Sequence, residues 1–216
     1  MIQKAIEAIS KAEIDQLIKN GESENKTLDY KQELPGATDE QKREFLADVS
    51  SFANASGGDI IFGIKEAKDE HGKNTGQPEI VVPMSGINAD EAKLRLEEII
   101  RSGISPRIRV QIRQIDGYGD GNNFVLIVRV PKSVASPHVV SYKGSFKFFS
   151  RNSAGKYPLD VHELRSAFLA TESQAERIKR FREDRLGKIV ADEIPVRLSS
   201  QQRLVLHLVP LIRILI

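Results

Sequence analysis

The stretch Phe52-Ala53-Asn54-Ala55-Ser56-Gly57-Gly58-Asp59-Ile60-Ile61-Phe62-Gly63-Ile64 admits few folds, because two different periodicities meet inside it. Upstream, Phe45, Val49 and Phe52 recur at helical spacing with Leu46 and Ala53 beside them, which predicts an amphipathic helix. Downstream, Ile60 to Ile64 is a short apolar run of strand length. Between them Gly57-Gly58 can adopt the positive φ that ends a helix and sends the chain straight into a strand. By itself the stretch describes a tight helix-to-strand junction set in a core.

The chain around this junction has 216 residues and is long enough for one full core plus a tail. It has no cysteine, which excludes disulfides and thiolate metal sites. Its four histidines, at 71, 138, 162 and 207, are too scattered for a metal cluster. Charges interrupt the first residues too closely for a signal peptide, and no apolar run approaches the length of a membrane span, so a cytoplasmic location is expected. The net charge of +2 hides an asymmetry. Acids outnumber bases over residues 1–100, whereas bases outnumber acids nine to two over residues 101–151. A basic stretch inside a nearly neutral chain is the footprint of a polyanion-binding face.

Taken in order, residues 2–20 repeat apolar positions at helical spacing and predict a helix or helix pair. Leu28 and Tyr30 then alternate with Asp29, Lys31 and Glu33 in a strand with one polar face. Thr38 with Gln41 opens the helix that Gly57 closes. After the Ile60 strand, residues 67–77 read as a mobile polar loop. Asn88 caps a further helix that Gly103 ends. From Arg107 the period becomes two, which predicts a strand with Arg107, Arg109 and Arg113 on one face. A glycine-rich turn leads to Phe124–Val130, an unbroken apolar strand fit for the middle of a sheet. Two strands follow, near His138–Tyr142 and Ser145–Arg151, the second placing Lys147, Phe149 and Arg151 on one face. Basic and aromatic groups interleaved in this way can grip phosphate and stack a base. Asp160 with Glu163 starts a long basic helix that runs to about Asp192, and Arg203 to Ile216 reads as a terminal strand of a region that continues beyond this chain. Domains are therefore expected at 1–170 and 171–216.

Glu24, Asp29 and Glu66 are the carboxylates able to form a reactive group. They lie before, on and after strand segments, and converge at one sheet edge if those strands are neighbours. Such a trio would suit Mg²⁺ or Mn²⁺, which take oxygen ligands. No nucleophile triad is visible. The phosphate-cradling Gly-x-x-x-x-Gly-Lys-Ser/Thr loop is absent as well.

Six signatures fall in sequence: Glu24–Lys31 (ENKTLDYK), Phe52–Ile64 (FANASGGDIIFGI), Ile104-Ser105-Pro106, Val128–Ser133, Pro137, and Phe148–Arg151 with Asn152-Ser153. Together they resemble the Schlafen AlbA-type domain, bacterial branch, over roughly residues 15–170. The resemblance implies an α+β fold, with a mixed, mostly antiparallel sheet and helices packed against it, followed here by the long helix and terminal strand. It also implies binding of DNA or RNA, including structured RNA such as tRNA, and a homodimer, since animal members pair two lobes around a positive groove. Those members have metal-dependent endoribonuclease activity, and their three acids carry over onto Glu24, Asp29 and Glu66. Asp29 stands where glutamate is usual and Glu66 where aspartate is usual. Lys31, Arg107, Arg109, Lys147, Phe149 and Arg151 are the expected nucleic-acid contacts. A regulatory or ATP-sensing module is the alternative reading.

Overall fold

A computed structural model describes residues 1–119, 121–191 and 193. The order of elements follows the chain. A single 3-10 turn (Ile6–Ala8) leads to α1 (Lys11–Lys19), β1 (Leu28–Lys31), α2 (Asp39–Asn54), β2 (Gly58–Phe62), β3 (Ile64–Lys68) and β4 (Asn74–Val81). Next come α3 (Ala89–Gly103), β5 (Ile104–Ser105), β6 (Gln111–Asp116), β7 (Phe124–Val130), β8 (Val139–Tyr142), β9 (Ser145–Asn152), β10 (Gly155–Pro158) and α4 (Val161–Val190). The helix starts rest on local chemistry legible in the sequence. The Ser10 hydroxyl and backbone N–H both donate to Glu13, the Thr38 hydroxyl accepts from the Gln41 N–H, and Asn88 Oδ1 accepts from the N–H groups of Asp90 and Glu91. At the start of α4, Asp160 and Glu163 hydrogen-bond each other's backbone N–H reciprocally.

The fold is α+β. The first sheet has the order β1-β2-β7-β6, with β1 parallel to β2 and the remaining pairs antiparallel. A second, antiparallel sheet has the order β10-β9-β8-β5, and β3 pairs with β4 as a hairpin. Helix α2 is buried along most of its length and packs against β7 of the first sheet, β8, β9 and β10 of the second, and α3. The central strand β7 supplies both sides of the first sheet. Phe124, Leu126, Val128 and Val130 join α2 and α3 in one apolar cluster, and Val125 and Ile127 join Ile9, Ile14, Leu17 and Tyr30 in the other. Burying each such side chain stabilises the fold by about 1.5–3 kcal/mol.

Two expectations are revised. Residues 67–77 are not a free loop but the two arms and turn of the β3–β4 hairpin, because Asp69 Oδ1 accepts from the N–H groups of His71 and Lys73 and closes the turn. Residues 107–110 are not strand. Pairing with β7 begins only at Gln111, opposite Arg129, so Arg107 and Arg109 sit in the connection between β5 and β6. The strand β10, which the sequence did not announce, returns antiparallel to β9. The expected terminal strand at Arg203–Ile216 lies outside the described residues.

The chain divides into two units, Met1–Leu164 and Arg165–Ile216. Both sheets and both apolar clusters belong to the first. In the second, the described residues form the rest of α4, with ion pairs Arg180–Glu176 and Lys188–Asp184 one turn apart along its surface.

Candidate functional site

Residues 24–31 and the β3–β4 hairpin bring two of the three expected acids to one place. The Glu24 N–H donates to the Gly76 carbonyl at 2.7 Å, tying the segment before β1 to β4. Glu24 Oε1 accepts from the Tyr30 N–H at 2.6 Å. Glu66, on β3, accepts from Asn74 Nδ2 and from the Gly76 N–H, both at 3.0 Å. Both carboxyls line a hollow of about 360 Å³ that is completed by Asn25, Thr75, the turn Ser153–Gly155 and an edge of Arg151.

Asp29 lies behind them in a buried ionic network. Its carboxylate is almost fully enclosed, with Oδ1 accepting from Arg151 Nη2 at 2.9 Å and Oδ2 2.9 Å from Lys31 Nζ. Asp48, on α2, is equally buried and lies 2.8 Å from Lys156 Nζ, 3.6 Å from Arg151 Nη1 and 3.7 Å from Lys31 Nζ. Lys156 also reaches Glu44. The Arg151 guanidinium stacks 4.3 Å from the centre of the Phe52 ring, so the junction helix supplies both an anion and an aromatic face for it. Asp48 escaped the sequence reading, yet a signal was present. Phe45, Asp48 and Phe52 share one helix face, and a lone acid on an apolar stripe demands a buried cation.

These surroundings separate the two neighbouring acids. Burial, a hydrogen bond shared with Asp29 and the Asp29 charge push the Glu24 carboxyl up to about 8. Burial opposes ionisation of Asp29, but the Lys31 and Arg151 charges outweigh it and hold that carboxyl down at about 2. Lys31 is raised against the effect of its own burial by Asp48 and Asp29, and burial raises Asp48.

The trio does not fit a divalent ion in this arrangement. Each Asp29 oxygen already faces a cation, and Mg²⁺ demands near-octahedral oxygen ligation. Among the described residues, no three Asp, Glu, His or Cys side chains are disposed to hold a metal.

The expected nucleic-acid residues divide in the same way. Arg107 and Arg109 are exposed and, with Arg101, line an open hollow of about 630 Å³ floored by Ile100, Ile108 and Val110. Among the described residues neither Arg107 nor Arg109 has a carboxylate within ion-pair distance, and Glu97 is the acid that shares the hollow. Lys147 is exposed on β9, opposite Val140. Phe149 and Arg151 correct the expected contact face. That side of β9 turns toward α2, so Phe149 packs on the apolar cluster and Arg151 is only 8 % exposed. Lys31 is engaged with Asp29 and Asp48.

Asn54, at the end of α2, has a role that spacing did not reveal. Its Nδ2 donates to the carbonyls of His138 and Phe149 at 3.0 and 2.8 Å, and its Oδ1 accepts from the His138 N–H at 2.7 Å. One amide thus clamps β9 and the residue just before β8 to the junction.

A family model described as Schlafen, AlbA_2 matches residues 24–160, which contain the acidic hollow, the ionic network, the junction and the arginine hollow. The chain belongs to the Schlafen, AlbA_2 family. No curated protein matches it. Among solved structures it is similar to the DIP2311 protein of Corynebacterium diphtheriae, at 19% identity and a TM-score of 0.42, with 69% of this chain and 26% of that one covered. It is also similar to the N-terminal domain of a protein from Nitrosomonas europaea named for its relation to the ATP-dependent DNA helicase RecG. There the identity is 19% and the TM-score 0.43, with 59% of this chain and 78% of that one covered. The chain thus spans about a quarter of the first of these proteins. No helix among the described residues of this Schlafen, AlbA_2 domain is long and apolar enough to cross a membrane.

Proposed function

We propose that this Schlafen, AlbA_2 domain binds nucleic acid and that the hollow lined by Arg101, Arg107 and Arg109 receives backbone phosphates. The observation that carries the reading is the state of these side chains: Arg107 and Arg109 are exposed without an ion-pair partner among the described residues, whereas Lys31, Arg151 and Lys156 are consumed by internal carboxylates. Guanidinium groups offer forked donors that match phosphate oxygens and remain charged at every working pH. The association with nucleic acid that the family suggests agrees with this chemistry.

Cleavage through Glu24, Asp29 and Glu66 is not part of the proposal, because Asp29 is committed to Arg151 and Lys31. Binding is therefore expected to be the same with EDTA as with Mn²⁺. The logarithm of the association constant should fall linearly with the logarithm of salt concentration, and Arg107→Gln together with Arg109→Gln should reduce the slope by about two. Fluorescence anisotropy of labelled RNA and DNA measures both effects. A flat salt response in the wild-type chain would overturn the reading.

A further inference from the structure

We infer that the arginine hollow reads an unpaired guanine, with Glu97 accepting from the N1–H and the N2 amino group of the base, so that the domain prefers single-stranded, guanine-containing nucleic acid. The inference rests on the proposed nucleic-acid binding and adds the base that is selected and the residue that selects it.

The hollow offers more than phosphate chemistry. Its floor is apolar and firm: Ile100 is 2 % exposed and belongs to the first apolar cluster, and Ile108 and Val110 pack against that cluster. A phosphate gains nothing from such a surface, whereas the flat face of a base loses apolar area to water by resting on it. The volume of about 630 Å³ is that of a site for a small organic ligand, enough for a base as well as its phosphate. Arg107 and Arg109 line it from the connection between β5 and β6, and Glu97 and Arg101 line it from successive turns of α3.

Glu97 is the residue that phosphate binding leaves unexplained. A carboxylate beside these guanidinium groups weakens their hold on a polyanion. It stands one turn before Arg101, the spacing at which a glutamate and an arginine pair along a helix. That pair does not form. Arg101 Nη2 lies 3.6 Å from Glu98 Oε1 instead, and among the described residues Glu97 has neither an ion-pair partner nor a side-chain hydrogen bond. Its exposed carboxylate is therefore free to accept from a ligand held in the hollow.

Guanine is the base that uses both charges. Its O6 and N7 accept from a guanidinium fork, and its adjacent N1–H and N2 amino group match the two oxygens of a carboxylate. Adenine and cytosine offer one amino group each, and uracil and thymine offer none. The N1 and N2 donors lie on the Watson–Crick edge, which pairing covers in a duplex, so the guanine that Glu97 reads is unpaired.

The test uses the full chain and labelled single strands of about 12 nucleotides, in ribo and deoxy forms. One strand is a run of uridine or thymidine, a second carries guanine at every third position, and a third carries hypoxanthine there, which lacks the N2 amino group. Fluorescence anisotropy should show the guanine strand bound about tenfold more tightly than the plain run, with the hypoxanthine strand between them. Annealing the guanine strand to its complement should abolish the advantage. Glu97→Gln should lose most of the guanine preference. Because the side chain is exposed on α3 and glutamine is as good a helix former, its thermal unfolding should match wild type. A carboxylate that merely lies near phosphates predicts instead that Glu97→Gln tightens every strand by the same factor and keeps their order. That result, or equal wild-type affinity for the guanine strand and the plain run in both forms, overturns the base reading. If Arg107→Gln with Arg109→Gln still weakens all strands in that case, nucleic-acid binding itself stands. Failure of the wild-type chain to bind any strand overturns both.

Discussion

Glu24 and Asp29 lie close in sequence and in space, and their environments drive them to opposite protonation states. Glu24 is raised from its ordinary 4.5 to about 8, so between those values the folded protein holds a proton that the unfolded chain has released. Stability contributed by this group is fully present at low pH and is lost as pH rises through that window. Replacing the carboxyl with a neutral amide removes the effect. Glu24→Gln is expected to flatten the loss of stability between pH 5 and 7 by about 1–2 kcal/mol, measured by urea unfolding at both values. Asp29 has the opposite sign. Its contribution is present above its ordinary 3.8 and disappears as pH falls toward about 2. At the same scale Asn54 satisfies the carbonyls of His138 and Phe149 and the His138 N–H. Asn54→Ala leaves those groups without partners and should cost about 2–3 kcal/mol in the same unfolding measurement.

The junction between α2 and β2 shows why an element boundary can depend on single atoms. A side chain at Gly57 would meet the Lys132 N at 2.7 Å while the backbone holds a φ of +74°. One at Gly58 would overlap the Phe52 ring and lie 2.8 Å from the Thr27 carbonyl. The Phe52 ring cannot yield, since it is fully buried beneath the Arg151 guanidinium. Gly58→Ala is therefore expected to destabilise the fold by about 1–3 kcal/mol through overpacking. Gly72, at the tip of the β3–β4 hairpin, has a similar positive φ with open space around it, so Gly72→Ala should cost only about 1 kcal/mol of backbone strain. Chemical denaturation of the two variants side by side separates crowding from conformation. Equal losses would contradict the packing described for the junction.

At the scale of the molecule, two layers of apolar packing and the ionic network all lie within Met1–Leu164. A chain ending at Leu164 is expected to unfold in a single cooperative transition with Tm within about 3 °C of the full chain, as followed by circular dichroism. A broad or multi-step transition would show that the second unit is needed for the fold.

The sequence by itself determined the local elements. The caps at Ser10, Thr38, Asn88 and Asp160, the change of period at Gly57-Gly58, the continuous apolar run of β7 and the Schlafen, AlbA_2 family motifs depend on neighbours within a few residues, and such short-range signals survive in the order of the amino acids. What the tertiary structure decided is the fate of each charge. Arg107 and Arg151 are both arginines on stretches of strand-like pattern, yet one is exposed without an ion-pair partner among the described residues and the other is stacked on Phe52 between Asp29 and Asp48. Phe146 and Phe149 lie three residues apart on one strand, and the sheet face that meets α2 buries the second while leaving the first in solvent. Alternation along a strand specifies two faces but not which of them meets the helix, and a carboxylate's partner can come from a residue more than a hundred positions away. That choice belongs to packing, where the cost of burying an unpaired charge decides which side chains turn inward together.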